Sequence, residues 1–244
     1  MRSHEPDGNT DFPLPASRFP LYHMLMPLSV RELYDRLFVL YGPQNWWPAE
    51  SPFEVIVGAV LVQNTNWGNV EKAIENLKSR YLLSPEAIDN LSEADLAEVI
   101  RPAGAYRVKA SRVRNVCAWL HEHGGLEALE RWATEDLRDS LLKVRGIGRE
   151  TADAILCYAF RRPVFVVDAY ALRLFDRLGL YSATASGSDF QGLQEFVHAK
   201  IGQDTPTLNE FHALVVRHSK EICKKLPQCD ACGLVSVCRW GQSR

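Results

Sequence analysis

No stretch of this 244-residue chain approaches the roughly 20 consecutive apolar residues that a helix needs to cross a bilayer. The first residues, MRSHEPDGNTDFPLPASRFP, lack the apolar centre of a secretion signal, so the cytoplasm is the expected compartment. An excess of either charge is missing too: 28 basic side chains stand against 30 acidic ones, and a formal charge of -2 neither favours nor excludes nucleic acid. Cysteine is sparse, six in all, and without an export signal these six do not read as a disulfide framework. Alternation with period two is almost absent, which argues against a sheet-based fold.

What is present is helical. Residues 1–27, rich in Pro, Ser, Asp and Asn, read as a flexible tail, and structure is expected to begin near Ser29. Ser51-Pro52-Phe53-Glu54 reads as a helix start, with Ser51 as N-cap, proline in the first turn and Glu54 closing a capping box. Phe53, Ile56, Val57, Val60 and Leu61 then share one face, and Val70, Ala73, Ile74 and Leu77 share the face of the next helix after the polar break at 63–66. Pro163-Val164-Phe165-Val166-Val167-Asp168 has strand propensity, but a lone short run has no partner, and the helical pattern resumes through Ala171, Leu172, Phe175 and Leu178 to Gly179. Asp168 then stands at a helix N-terminus. Charge is uneven locally: residues 101–114 hold Arg101, Arg107, Lys109, Arg112 and Arg114 with no acid, which allows one basic face.

Two patterns carry chemistry. In LLKVRGIGRETADAILCYA, Leu137, Leu141 and Val144 form one inner stripe and Ala152, Ile155, Leu156 and Ala159 the next, so two short helices pack across Gly146-Ile147-Gly148. Ile147 is expected to point inward. The two glycines clear side chains from the bend and expose amide hydrogens at the next helix's start, a site suited to a phosphate or simply a glycine-capped hairpin. At the other end, Cys223, Cys229, Cys232 and Cys238 fall in a C-x5-C-x2-C-x5-C pattern that implies a metal, either zinc or an iron-sulfur group. Cys117 and Cys157 lie on apolar faces and read as buried.

The hairpin, RRPVFVVDAYALRLFDRLGL after it, GAVLVQNTNWGNVEKAIENL and RPAGAYRVKASRV before it, and the terminal cysteines together resemble the endonuclease III superfamily of DNA glycosylases, over roughly residues 50–240. The resemblance implies an all-α fold of two helical domains with a DNA cleft between them: a six-helix domain over 52–163 bearing the helix-hairpin-helix motif, and a second over 28–51 plus 164–244 closed by a [4Fe-4S] loop. It implies a base-excision-repair enzyme, a nucleoid-associated monomer that meets double-stranded DNA containing damaged bases. Asp168 matches the family's essential aspartate, eighteen residues beyond position 150. A fixed carboxylate there can stabilise the positive charge that builds on the sugar and orient the attacking water.

Position 150 departs from the family's strand-cleaving members. They carry a lysine whose amine attacks the sugar; Glu150 cannot form that imine, which implies base release without strand cleavage. Gln63 matches the residue that fills the gap left by an extruded nucleotide. Gly146, Gly148, Arg145 and Arg149 are the expected phosphate contacts. Trp46, Trp47 and Trp67, with Lys220, match the base pocket of the 3-methyladenine branch, where an indole face suits a cationic alkylated purine. Cys223, Cys229, Cys232 and Cys238 match the [4Fe-4S] ligands, although their first gap is one residue short of the usual six, which keeps zinc open. An oxidised-pyrimidine glycosylase with weak lyase action, a DNA-binding homologue without catalysis and a zinc-bound regulatory protein are the competing readings.

Overall fold

In the computed structural model, which describes residues 28–182 and 189–243, the chain opens with α1, Val30–Tyr41. The tail read over residues 1–27 lies outside the described residues. Ser29 caps α1, its hydroxyl accepting the Glu32 amide while the Glu32 carboxylate accepts the Ser29 N–H, so two otherwise orphaned donors are satisfied together. Next comes α2, Pro52–Leu61, capped by Ser51, with every residue after its proline buried. The Glu54 side chain does not close the expected box on Ser51. It accepts the Glu50 amide and pairs with Lys78 of α3, Trp67–Lys78, because lateral packing of these two helices brings that ammonium within 2.9 Å.

The rest is a succession of short helices: α4 Pro85–Asp89, α5 Glu93–Val99, α6 Tyr106–Glu122, α7 Leu126–Leu129, α8 Thr134–Lys143 and α9 Arg149–Ala154. A π-turn, Ile155–Ala159, runs on from α9, followed by α10 Ala169–Leu178, α11 Phe190–Ile201, α12 Thr205–Glu221 and the terminal α13 Arg239–Gln242. Among the described residues no strand forms, and no helix is long and apolar enough to cross a membrane.

Two hydrophobic cores organise these helices. One gathers side chains from Phe53 to Val166; the other joins Val30, Leu33 and Leu37 of α1 to α10, α11, α12 and the terminal segment as far as Leu234. The segment between Pro163 and Asp168 explains its own strand-like composition. Val164 and Val166 enter the first core, Phe165 and Val167 the second, all four at 2% exposure or less. An extended backbone sends successive side chains to opposite sides, so a period-two run here serves two cores rather than a sheet.

Two sequence expectations need correcting. Trp46 and Trp47, placed with the second domain, pack on the first core, because the chain between α1 and α2 crosses to it. Nor does the basic run 101–114 form one solvated face. Lys109 is 2% exposed, its ammonium donating to Leu61 O at 2.8 Å and Ala103 O at 2.7 Å, while Arg114 donates to Leu91 O and Arg112 to Gln63. Lys109 and Arg114 thus cap backbone carbonyls that the ends of short helices leave without partners, while Arg112 holds a side-chain amide.

A buried polar network ties the cores together. Asp153 of α9 accepts from Arg138 of α8 and from Gln194 of α11, and the same Gln194 amide donates to Phe165 O. The Phe165 amide in turn donates to His198 Nε2 at 3.0 Å.

Candidate active site

Asp168 is the N-cap of α10. Its Oδ1 accepts the Ala171 amide at 2.7 Å, and the side chain is buried among the residues that join the cores. A helix N-terminus favours an anion, so the cap geometry and an ionised carboxylate reinforce each other. Oδ2 is left with His212 Nε2 of α12 at 3.7 Å.

Glu150 lies in the first turn of α9, which faces the same carboxyl. Its side chain reaches solvent, yet the protein around it desolvates the carboxylate and pushes its pKa up. The charge of Asp168 adds to the rise and His212 works against it. The two acids are therefore electrostatically coupled.

The hairpin forms as its sequence requires. Leu137, Leu141, Val144 and Ile147 are buried, and the chain turns through Gly146 at φ +96°, a conformation that L side chains rarely adopt. Ile147 donates back to Val144 O at 3.0 Å, and Ala152 to Gly148 O at 2.9 Å. The first-turn amides of α9 precede any intrahelical acceptor. Gln63, at the exit of α2, does not simply face water. Its amide donates to Gly146 O at 3.2 Å and to Thr151 Oγ1 at 2.9 Å, and its Oε1 accepts from Arg112.

Trp46, Trp47 and Trp67 form one cluster, with ring centroids 5.0 to 5.4 Å apart and all three half-buried. Trp47 also packs on Tyr158 of the π-turn at 5.3 Å. The indole lies over Gly58 of α2, where a β-carbon would sit 3.2 Å from it.

The remaining expected residues are spread more widely. Arg145 is exposed, its carbonyl accepting from Asn115 of α6. The Arg149 guanidinium turns inward, with Gln194 Oε1 at 3.2 Å and Asp153 Oδ2 at 3.7 Å, and so joins the polar network between the cores. Lys220 is exposed in the last turn of α12, about 12 Å along the axis from His212 at 1.5 Å per residue. Cys117 and Cys157 are fully buried.

All four terminal cysteines line one small cavity, together with Arg177 and His218. None is in a disulfide, and Arg177 Nη1 approaches Cys223 Sγ at 3.3 Å while the Gly241 amide approaches Cys238 Sγ at 3.4 Å. Among the described residues no three of His, Cys, Asp or Glu converge closely enough to hold a single metal ion.

Sequence reasoning passed over Arg112, Tyr158, Asp153, Gln194 and His212. The available signal was polarity on apolar faces: His212 and His218 both fall on the buried side of α12, where an unpaired imidazole is costly.

With the geometry in place, similarity to known proteins becomes informative. Residues 57–195 match the model of the HhH-GPD superfamily of base excision DNA repair proteins. A putative DNA repair glycosylase of Methanocaldococcus jannaschii is 43% identical over 212 residues, covering 86% of this chain and 95% of that protein. The structure of a 3-methyladenine DNA glycosylase of H. pylori bound to 1,N6-ethenoadenine superimposes with a TM-score of 0.70 at 31% identity, over 80% of this chain and 98% of that one. A non-covalent endonuclease III–DNA complex superimposes with a TM-score of 0.74 at 25% identity, over 88% and 96% of the two chains.

Proposed function

The chain belongs to the HhH-GPD superfamily of base excision DNA repair proteins, and from that premise we propose that it is a monofunctional DNA glycosylase acting on alkylated purines. The observation that carries this reading is the pairing of Glu150 with Asp168. A carboxyl stands where an imine-forming enzyme needs an amine, and desolvation raises its pKa, with the charge of Asp168 adding to the rise.

In this reading the hairpin amides beside Gly146 and Gly148, with Arg145, hold a backbone phosphate, and Gln63 occupies the gap in the duplex once the damaged nucleotide has turned out. Trp46, Trp47 and Trp67 receive the base. An alkylated purine carries positive charge, which electron-rich indole faces attract. The C1′–N bond then breaks with its electron pair going to the base, which neutralises that charge, so little acid assistance is needed. Asp168 stabilises the cationic sugar and takes the proton of the water that bonds to C1′. The H. pylori relative, named for 3-methyladenine and holding ethenoadenine, supports the substrate class.

The four cysteines suit a [4Fe-4S] cluster better than zinc. They surround a common cavity, and N–H donors already face two of the sulfurs, as thiolates that bridge to a cluster require. Such a cluster supplies structural cross-linking of the terminal segment.

The test is base release over a panel of duplexes holding methylated and etheno purines, oxidised pyrimidines and uracil mismatches, with borohydride trapping on abasic DNA in parallel. Release confined to alkylated purines without a trapped adduct is expected. Release of oxidised pyrimidines, or a covalent adduct with the native protein, overturns the reading.

A further inference from the structure

Asp168 is not alone with its water and its sugar. His212 is 7% exposed, and its Nε2 is buried without a hydrogen-bond partner. The polar group nearest in that direction is Asp168 Oδ2 at 3.7 Å. The other ring nitrogen, Nδ1, lies 2.5 Å from the phenol oxygen of Tyr158, itself 8% exposed. Tyr158 has one further contact, to Asn209 O at 3.5 Å.

These distances fix the protons. A phenol whose pKa is pushed well up by burial stays protonated, and its hydrogen goes to the short contact at Nδ1 rather than the long one at the carbonyl. Nδ1 is then the acceptor, so a neutral His212 carries its hydrogen on Nε2, aimed at the aspartate. A buried N–H with no partner costs free energy, and that cost is relieved when a carboxyl oxygen closes on it. Desolvated surroundings strengthen the attraction further.

We propose that His212 is a positioning residue for base release: held in one tautomer by Tyr158, it orients Oδ2 of Asp168. The inference rests on the glycosylase reading and deepens it. It also links the two halves of the site. Tyr158 packs on Trp47 at 5.3 Å, so the wall of the aromatic cluster and the carboxylate share one contact path, Trp47–Tyr158–His212–Asp168. A purine seated against Trp47 therefore presses on the residue that sets the imidazole. The π-turn that carries Tyr158 contributes: π-turns recur at functional sites because the wider turn re-aims a side chain.

The test compares the full-length protein with His212→Phe, His212→Gln and Tyr158→Phe in single-turnover release of 3-methyladenine, with affinity for a duplex holding an abasic analogue as a second readout. Glu150 on α9, Tyr158 in the π-turn and His212 on α12 are the titratable groups that interact with Asp168, and Cys157 and Glu210 act in turn on Tyr158. His212→Phe is expected to lose about 10-fold in the chemical step with DNA affinity unchanged. His212→Gln, whose amide can replace the Nε2–H, recovers most of the rate. Tyr158→Phe loses less, because the imidazole remains but its tautomer is free. If His212→Phe does not fold, Tyr158→Phe carries the comparison, and a native rate for it overturns the proposal. So does a folded His212→Phe with native rate. A native protein that releases no base from any duplex fails earlier, at the glycosylase reading itself.

Discussion

Arg112 lies against the α-carbon of Gly146: a β-carbon built there would stand 2.5 Å from Arg112 Cγ. The same arginine donates to Gln63, whose amide returns to Gly146 O. The turn of the hairpin and the Gln63 side chain are thus held by one arginine.

Gly146→Ala is therefore expected to act twice, through the strain of φ +96° and by displacing Arg112. A loss of about 1–3 kcal/mol in denaturant stability is expected, together with weaker binding to abasic-analogue DNA. Gly148→Ala makes the contrast. Its φ is -94° and a β-carbon meets nothing within 4 Å, so stability holds within about 1 kcal/mol while DNA affinity falls. Equal stability losses in the two variants would count against this account.

Glu150 gives a pH dependence of definite sign. Its folded pKa is raised above the ordinary 4.5, so the folded state holds the proton more tightly than the unfolded state. The contribution of Glu150 is fully present below pH 4.5 and is lost as pH rises through the folded pKa. Glu150→Gln removes that loss. The variant should match the native protein below pH 4.5 and exceed it at neutral pH, as read by urea melts at both.

Glu150→Lys places an amine beside Asp168. Borohydride on abasic DNA should then trap a covalent adduct that the native protein does not form. No adduct, with base release intact, would mean that position 150 does not reach the sugar.

Asp153→Ala leaves the Arg138 guanidinium, 8% exposed, without its buried partner. Removing one member of a buried pair costs about 3–5 kcal/mol. A loss under about 1 kcal/mol in denaturant titration would show that water or Glu135 replaces the carboxylate.

Cys232→Ser should remove the brown colour and broad visible absorption expected of the native protein and make the segment after α12 sensitive to protease. Colourless native protein containing zinc would reassign the cysteines.

How legible all this was depended on the range of the interaction. Local signals read well: Ser51 and Asp168 cap helices, structure begins at the helix that Ser29 caps, and Gly179 ends α10 in a left-handed conformation, because each depends on a side chain and the few backbone groups beside it. The apolar stripes of the hairpin helices read well for the same reason. Lys109 misled because its burial depends on the end of a helix 48 residues away. Tyr158 and His212, 54 residues apart, carried no pairwise signal in sequence, and neither did Asp153 with Gln194. The parts of the candidate site that one helix supplies were readable. Those that need two helices to meet were not.

The extended segment from Val164 to Val167 has a further consequence. With its side chains shared alternately between two cores, deleting or inserting one residue there would send each of the four into the wrong core and rotate Asp168 away from α12. The stretch between the π-turn and α10 thus works as a ruler of invariant length. Mutation can change what stands along it far more readily than how many residues it contains.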